Sequence, residues 1–178
     1  MAVYRYLRSY TALLAASSFL MLALIVGFFL PEIACTYWHV RFGNSATYHG
    51  WNIPVPTGWR ATTHDKQLII TKPLRFYDTS DVPEVVVGAL DASKPIDPDR
   101  LDELMVHRLS QDGYILRKIR QIQVGGRDTD CLQFGAYKPG ERIRISCMCI
   151  GAHLSVDLFG RPSEIEAFYS IVSQIRAR

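Results

Sequence analysis

The hydrophobic positions divide the chain into one continuous apolar run and a longer, patterned region. Residues 11–30 form a stretch of twenty residues without a charge. At about 1.5 Å rise per residue, a helix of this length covers about 30 Å, the hydrocarbon thickness of a bilayer. The later residues form short apolar segments separated by turn residues. We therefore predict a cytoplasmic N-terminus (1–10), a transmembrane helix (11–30), a stalk (31–45) and an outer domain (46–178).

The residues that flank the apolar run favour a retained anchor with its N-terminus in the cytoplasm. The run is longer than the 7–15 apolar residues typical of a signal peptide, and Glu32 occupies position −3 of the best-placed cleavage site, after Ala34. Arg5 and Arg8 precede the run, which by the positive-inside rule places residues 31–178 in a periplasmic or extracellular space, on the inner (plasma) membrane. Two alternatives stay open, cleavage and lipid attachment at Cys35.

The patterned region predicts a mostly antiparallel sheet. β-Branched and apolar segments bounded by turn residues are typical of strands, and they cover residues 48–55, 67–71, 84–90, 114–124, 128–137, 142–150 and 153–159. The short turns between the last four segments imply antiparallel pairing. If Pro139-Gly140 is a two-residue loop, Phe134 faces Ile145 and apolar residues meet apolar residues across the pair.

Two amphipathic helices are predicted to cover this sheet. The first begins at Pro98, after Asp97 as the N-cap, and ends at Gly113. The second begins at Ser163, which forms a capping box with Glu166. The predicted fold class is therefore α+β, with a single N-terminal transmembrane helix followed by a mostly antiparallel sheet covered by two helices.

The element order and one short motif resemble the PsbP-like fold, named for an extrinsic subunit of photosystem II and shared by bacterial lipoproteins. The motif is the turn Pro56-Thr57-Gly58-Trp59, which follows an aromatic-containing strand. As in typical members, the last predicted element is a helix, here with the apolar residues of Phe168–Ile175. The resemblance covers about residues 45–178 and implies a PsbP-like sandwich. It also implies a non-enzymatic adaptor or assembly factor at a membrane. No catalytic residue carries over, because the family has no shared catalytic motif.

Three cysteines and one histidine are the strongest candidates for site chemistry. Cys147, Cys149 and His153 offer thiolate and imidazole groups of the kind that bind copper(I) or zinc. In an oxidising compartment, Cys131 could instead form a disulfide with one of the other two cysteines. In the predicted register Cys131 lies opposite Met148, so we predict reduced cysteines that pack in the core. A disulfide through a different register and a metal site are the alternatives.

Charge and motif content narrow the function classes further. The net charge is +3, and the 18 basic residues after the N-terminal segment are balanced by 17 acidic ones, which does not favour nucleic acid as a partner. Arg117, Arg142 and Arg144 are predicted to form a basic stripe that contacts a partner or lipid headgroups. No zinc-hydrolase, nucleophile-elbow or phosphate-loop motif occurs. We therefore predict no catalytic residue and no cofactor.

These observations favour a membrane-anchored, single-pass and non-catalytic protein. Its outer domain is predicted to be a partner-binding or assembly module of a membrane complex, with the lipid bilayer and a membrane protein as partners. The alternative is an outer module, similar to a lipoprotein, that binds a small ligand or a metal. A tether beside a nearly neutral domain without a reactive motif is compatible with both.

Overall fold

In the part of the chain that the structure describes, a long N-terminal helix is followed by two antiparallel sheets and a short C-terminal helix. The computed structural model describes residues 2–74, 82–91, 107, 115–118, 131–137, 143–149 and 152–178. Of these, residues 2–12, 115–118 and 131–137 are described by their backbone alone. This architecture confirms the predicted α+β class.

The N-terminal helix α1 (Ala2–Phe42) continues well past the apolar run. Within the described residues it is the one helix that is long and apolar enough to cross a membrane, so it is a candidate membrane span. The segment predicted as a stalk is therefore helical over most of its length, and Pro31 lies inside the helix. Gly43 ends α1 with a φ of 79°, the left-handed conformation that glycine adopts most easily.

A three-stranded antiparallel sheet follows directly after α1. It consists of β1 (Ser45–Tyr48), β2 (Trp51–Pro54) and β10 (Arg176–Ala177), with β2 in the middle. The prediction of one opening strand over 48–55 is wrong, because the chain reverses between β1 and β2. His49 and Gly50 have φ values of 45° and 79°, and two successive left-handed residues form the tight turn of a hairpin.

A seven-stranded antiparallel sheet forms the body of the domain. Its strands are β3 (Arg60–His64), β4 (Gln67–Thr71), β5 (Glu84–Ala89), β6 (Ile115–Lys118), β7 (Cys131–Tyr137), β8 (Ile143–Cys149) and β9 (Leu154–Gly160). Their order across the sheet is β3-β4-β5-β9-β8-β7-β6. Sequence reasoning missed β3, whose polar residues carry no strand pattern. It is held by a tight turn to β4 in which Asp65 and Lys66 both have positive φ.

The pairing of β7 with β8 differs by one residue from the predicted register. Phe134 pairs with Ser146 instead of Ile145. The prediction assumed a two-residue loop, whereas the last paired residues, Tyr137 and Ile143, leave residues 138–142 between them. A longer loop changes the register, because loop length and turn type decide which residues of a hairpin meet.

The hydrophobic core lies between the seven-stranded sheet, the small sheet and α2 (Ile165–Ser173). Alternate residues of β9 are buried, as expected for a strand with one face in the core. Phe168, Ile171 and Val172 of α2 are fully buried against this face. Burial of such side chains supplies the main stabilisation of the domain, at about 1.5–3 kcal/mol for each large apolar residue.

The two predicted domain helices have different outcomes. The prediction of a capping box before α2 is wrong. A short 3-10 turn (Pro162–Glu164) precedes the helix, and Ser163 Oγ donates its hydrogen bond to Glu164 Oε2 at 2.5 Å. Of the helix predicted over 97–113, the structure describes His107 alone, which is helical and exposed. The other residues of that prediction lie outside the described part of the chain.

Candidate functional site

The end of α1 beyond the apolar run is attached to the sheet by polar side chains. Trp38 Nε1 donates a hydrogen bond to the carbonyl oxygen of Ala61 at 2.9 Å. One turn earlier, the buried Cys35 donates its thiol to the carbonyl oxygen of Gly58 at 3.3 Å. His39 Nε2 lies 3.2 Å from the carbonyl oxygen of Pro56, which belongs to the same turn as Gly58. Because these contacts span a full turn of helix, they fix the orientation of α1 on the domain.

A cavity of about 340 Å³ opens beside this attachment. Its lining combines apolar and charged residues from α1, from the chain after β4 and from the turn before α2. They include Pro31, Glu32, Lys72, Leu74, Arg161 and Glu164. The cavity therefore lies at the end of the domain where α1 leaves the apolar run, which we call the base of the domain.

The charged residues of the cavity are organised around Glu164, whose side chain is 6% exposed. Lys72 Nζ donates to Glu164 Oε1 at 3.1 Å, and Ser163 donates to the other carboxylate oxygen. Burial by itself raises the pKa of Glu164, but the hydrogen bonds from Ser163 and Lys72 and the charges of Lys72 and Arg161 outweigh it. The pKa of Glu164 is therefore lower than usual, and its carboxylate is ionised at neutral pH.

A second polar cluster lies on the face of the large sheet opposite the core, on β8 and β9; we call it the outer-face cluster. Ser146 is buried and donates a hydrogen bond to Asp157 Oδ1. The Arg144 guanidinium lies over the Phe159 ring, with Cζ 5.0 Å from the ring centroid. Its Nη2 atom lies 3.9 Å from Asp157 Oδ1. Burial raises the pKa of Asp157, and the Ser146 hydrogen bond and the Arg144 charge reduce this effect without reversing it.

The predicted basic stripe is described at two of its three positions. Arg144 belongs to the outer-face cluster, where an aromatic ring and a carboxylate hold it. The backbone of Arg117 pairs with Gly135, which pairs with Ile145, so Arg117 lies one row away from Arg144 in the sheet. Arg142 lies outside the described residues. The structure does not place Arg117 in the same row as Arg144, and the stripe as a contact surface stays a prediction.

The prediction of reduced core thiols is confirmed for Cys147, which is a free and fully buried thiol, and is wrong for Cys149. Cys149 is disulfide-bonded, whereas Cys35 and Cys147 are free thiols. The shifted register places the backbone of Cys131 directly opposite Cys149 instead of opposite Met148. The predicted reduced state of Cys149 is therefore wrong, and the error in register is its physical reason.

Of the three weak metal candidates, the structure brings Cys147 and Cys149 together but not His153. Cys147 Sγ lies 3.7 Å from Cys149 Sγ, but a disulfide-bonded sulfur is not a thiolate ligand. Burial, with a smaller contribution from Asp157, raises the pKa of Cys147 to about 12. His153 is exposed at the turn before β9. No group of three metal-ligating side chains occurs among the residues that the structure describes.

Sequence reasoning missed the residues of the cavity. Lys72 and Glu164 are far apart in sequence and belong to no motif, so only the fold brings them together. The one available signal was Glu32, an acidic residue that almost directly follows the apolar run. A comparison of the chain with protein-family models and with curated proteins finds no match.

Proposed function

We propose that this chain is a single-pass membrane protein whose outer domain binds a membrane-protein partner as an assembly module of a membrane complex. No catalytic role is assigned to it. The observation that carries the proposal is a row of exposed apolar side chains on α1 that begins inside the apolar run (residues 11–30) and continues beyond its end.

The row consists of Val26, Phe29, Ile33, Tyr37 and Val40. Intervals of three and four residues place these side chains on one face of a helix. Beyond the apolar run the exposure of the row increases, from 53% at Ile33 to 60% at Tyr37 and 82% at Val40. Large apolar side chains in a continuous row mark an interaction surface more often than isolated exposed ones do.

The domain itself does not cover this row. At about 100° per residue, Cys35, Trp38 and His39 lie on the side of α1 opposite Ile33, Tyr37 and Val40. The first three bind the domain through buried or polar contacts. Their attachment therefore holds the apolar row pointing away from the domain, where a partner can reach it.

Lipid alone does not account for the whole row. Val40 lies ten residues after the end of the apolar run, about 15 Å further along the helix axis. The headgroup region extends only about 5–8 Å beyond the hydrocarbon on each side. A helix of a partner protein that also leaves the membrane covers both parts of the row, inside and outside the bilayer.

The disulfide at Cys149 supports the outer location of the domain. Disulfides persist in oxidising compartments, such as a periplasm or an extracellular space, and are rare in the cytosol. The basic residues Arg5 and Arg8 before the span favour the same orientation. Two independent features thus support a cytoplasmic N-terminus and an outer C-terminal domain in the inner (plasma) membrane.

Site-specific photo-crosslinking in native membranes tests the proposal. A photoreactive side chain at Val40 should give one adduct with another membrane protein, because this position is exposed and belongs to the row. The same probe at Thr62, an exposed residue of β3, is the control and should give no such adduct. Equal labelling at both positions, or an adduct of twice the mass of this chain alone, contradicts the proposal.

A further inference from the structure

The domain lies beside the part of α1 that directly follows the apolar run. Pro31 and Glu32, the first two residues after that run, line the cavity at the base of the domain. At about 1.5 Å rise per residue, both lie within about 3 Å of the end of the run along the helix axis. The headgroup region extends about 5–8 Å beyond the hydrocarbon. The domain residues that line the same cavity therefore lie close to the level of the headgroups, an inference that rests on the proposed anchor.

The large sheet extends from this level away from the apolar run. Cys35 donates to the carbonyl oxygen of Gly58, and Trp38, one turn later, donates to that of Ala61. The end of α1 and the chain that leads into β3 therefore run side by side in the same direction. The three residues of β3 beyond Ala61 add about 10 Å at about 3.3 Å each. The turn after His64 is therefore at the end of the domain far from the base.

The base also carries an exposed apolar side chain. Val82 is 41% exposed, and in the described part of the chain every other exposed large apolar side chain belongs to α1. Val82 directly precedes Pro83, a lining residue of the cavity whose carbonyl oxygen accepts a hydrogen bond from the backbone N–H of Lys72 at 3.1 Å. The turn at the far end contains Asp65 and Lys66, which are polar and exposed. The large apolar side chain that the described domain leaves exposed is therefore at the end near the membrane.

The charges at the base do not select one kind of lipid. Lys72 and Glu164 compensate each other in an ion pair, so contact with the bilayer requires neither an anionic lipid nor one particular headgroup. Leu74 lines the cavity and is half-buried, which leaves part of its side chain for lipid. The boundary between headgroups and acyl chains accepts apolar side chains that would otherwise face water. We propose that the base of the domain rests in the headgroup layer of the bilayer that α1 spans, with Val82 and Leu74 against the lipid.

Fluorescence quenching of the full chain in vesicles tests this inference. Val82→Cys is labelled with a fluorophore under native conditions, in which the free thiols of Cys35 and Cys147 are buried and should not react. The vesicles consist of phosphatidylcholine, of which a part carries a nitroxide on its headgroup. The fluorophore at position 82 should lose most of its fluorescence when the nitroxide lipid is present, and Leu74→Cys repeats the measurement at a second position of the base. Thr63→Cys, an exposed position towards the far end of β3, is the control and should keep its fluorescence.

A fourth position separates this inference from the proposed anchor. Ile33 is the third residue after the apolar run, and its exposed side chain lies on the side of α1 away from the domain, so Ile33→Cys reports on the anchor alone. Quenching at Ile33 with none at Val82 and Leu74 overturns the contact of the base with lipid and leaves the anchor standing. Quenching at Thr63 as strong as at Val82 overturns the proposed orientation of the domain. Unquenched fluorescence at Ile33 contradicts the anchor, and with it both proposals.

Discussion

Two regions of this domain enclose a carboxylate, fully at Glu164 and partly at Asp157, and they shift its pKa in opposite directions. At the base, Glu164 is bound by Lys72 and Ser163 and its pKa is lowered. In the outer-face cluster, Asp157 receives a hydrogen bond from Ser146 but has a guanidinium no closer than 3.9 Å, and its pKa is raised. Burial raises the pKa of both groups. At Glu164 the hydrogen bonds from Ser163 and Lys72 and the charges of Lys72 and Arg161 outweigh it, whereas at Asp157 the hydrogen bond from Ser146 and the charge of Arg144 do not.

The comparison indicates how each region contributes to the fold. A cation at hydrogen-bond distance makes the ionised carboxylate at the base a stabilising group. At the outer face the protein tolerates the carboxylate, and the surrounding strands must hold the cluster together. β8, which carries Ser146, is also the strand that contains the disulfide-bonded Cys149.

Reduction of the disulfide should have the largest effect and should act through β8, the strand that also carries Ser146 of the outer-face cluster. A disulfide that closes a loop of about 15–20 residues stabilises a fold by about 2–4 kcal/mol, because it restricts the unfolded chain. We expect reductant to lower the free energy of unfolding of the full chain by this amount. Urea unfolding in detergent, followed by tryptophan fluorescence with and without reductant, measures it.

A count of free thiols and peptide mapping show which cysteines form the disulfide that causes this effect. The unreduced, denatured chain should show two free thiols, and peptide mapping should recover Cys131 joined to Cys149. Cys147→Ala should keep the sensitivity to reductant, since its thiol is free, whereas Cys149→Ala should lose it. Four free thiols before reduction would contradict both the disulfide and the register of β7 on β8.

Glu164→Gln should give the second largest effect and should act at the base. The change removes the charge that binds Lys72 and weakens the hydrogen bond from Ser163. Lys72 is about half exposed, so the loss should be smaller than for a fully buried ion pair, about 1–2 kcal/mol in the free energy of unfolding. Glu166→Gln, an exposed glutamate of α2, is the matched control and should stay within about 0.5 kcal/mol. Equal stability of the two variants would contradict the role of the ion pair.

Acid should separate the two carboxylates by the direction of their effect. The folded pKa of Glu164 is below its ordinary value of 4.5, so its contribution to stability is complete above about pH 4.5 and is lost as the pH falls through the folded pKa. The folded pKa of Asp157 is above 3.8, so stability rises as the pH falls through that pKa towards 3.8. Urea midpoints measured between neutral pH and about pH 3 should show the loss below pH 4.5 in the original chain and not in Glu164→Gln. If the urea midpoint of Glu164→Gln falls below pH 4.5 as much as that of the original chain, the loss of stability in acid is not due to Glu164.

The sequence predicted those parts of the fold that depend on local pattern. The α+β class, the apolar helix and β4 could be inferred, since an unbroken apolar run of twenty residues and the β-branched segment QLIIT are each recognisable locally. β3 could not, because its polar residues are held by a turn and a neighbouring strand. The register of β7 on β8 was missed because apolar residues occur at both odd and even positions of β7, so matching apolar partners did not identify one pairing.

The residues of the candidate site were harder to predict from the sequence, because no local pattern marks them. Glu32, Lys72 and Glu164 come from three distant segments that meet only after the sheet and α1 have packed. The pKa of a carboxylate depends on the distance to its nearest cation, which no spacing along the chain encodes. The row on α1 was accessible in principle, since Ile33, Tyr37 and Val40 recur at helical intervals, but the assumption of a stalk hid it.

Asp157→Asn should have the smallest effect and provides the sharpest test of the contrast between the two regions. Asparagine keeps an oxygen that accepts the hydrogen bond from Ser146, and it removes a charge that burial disfavours. The lost attraction to Arg144 at 3.9 Å is weak, so we expect a change of about 0.5 kcal/mol or less at neutral pH, towards higher stability. The variant should also lose the rise in stability that the original chain shows as the pH falls towards 3.8. Urea unfolding of both chains across this range measures the difference. A loss at neutral pH as large as that of Glu164→Gln would show that Asp157 is stabilised as an anion, and the two regions would then be alike.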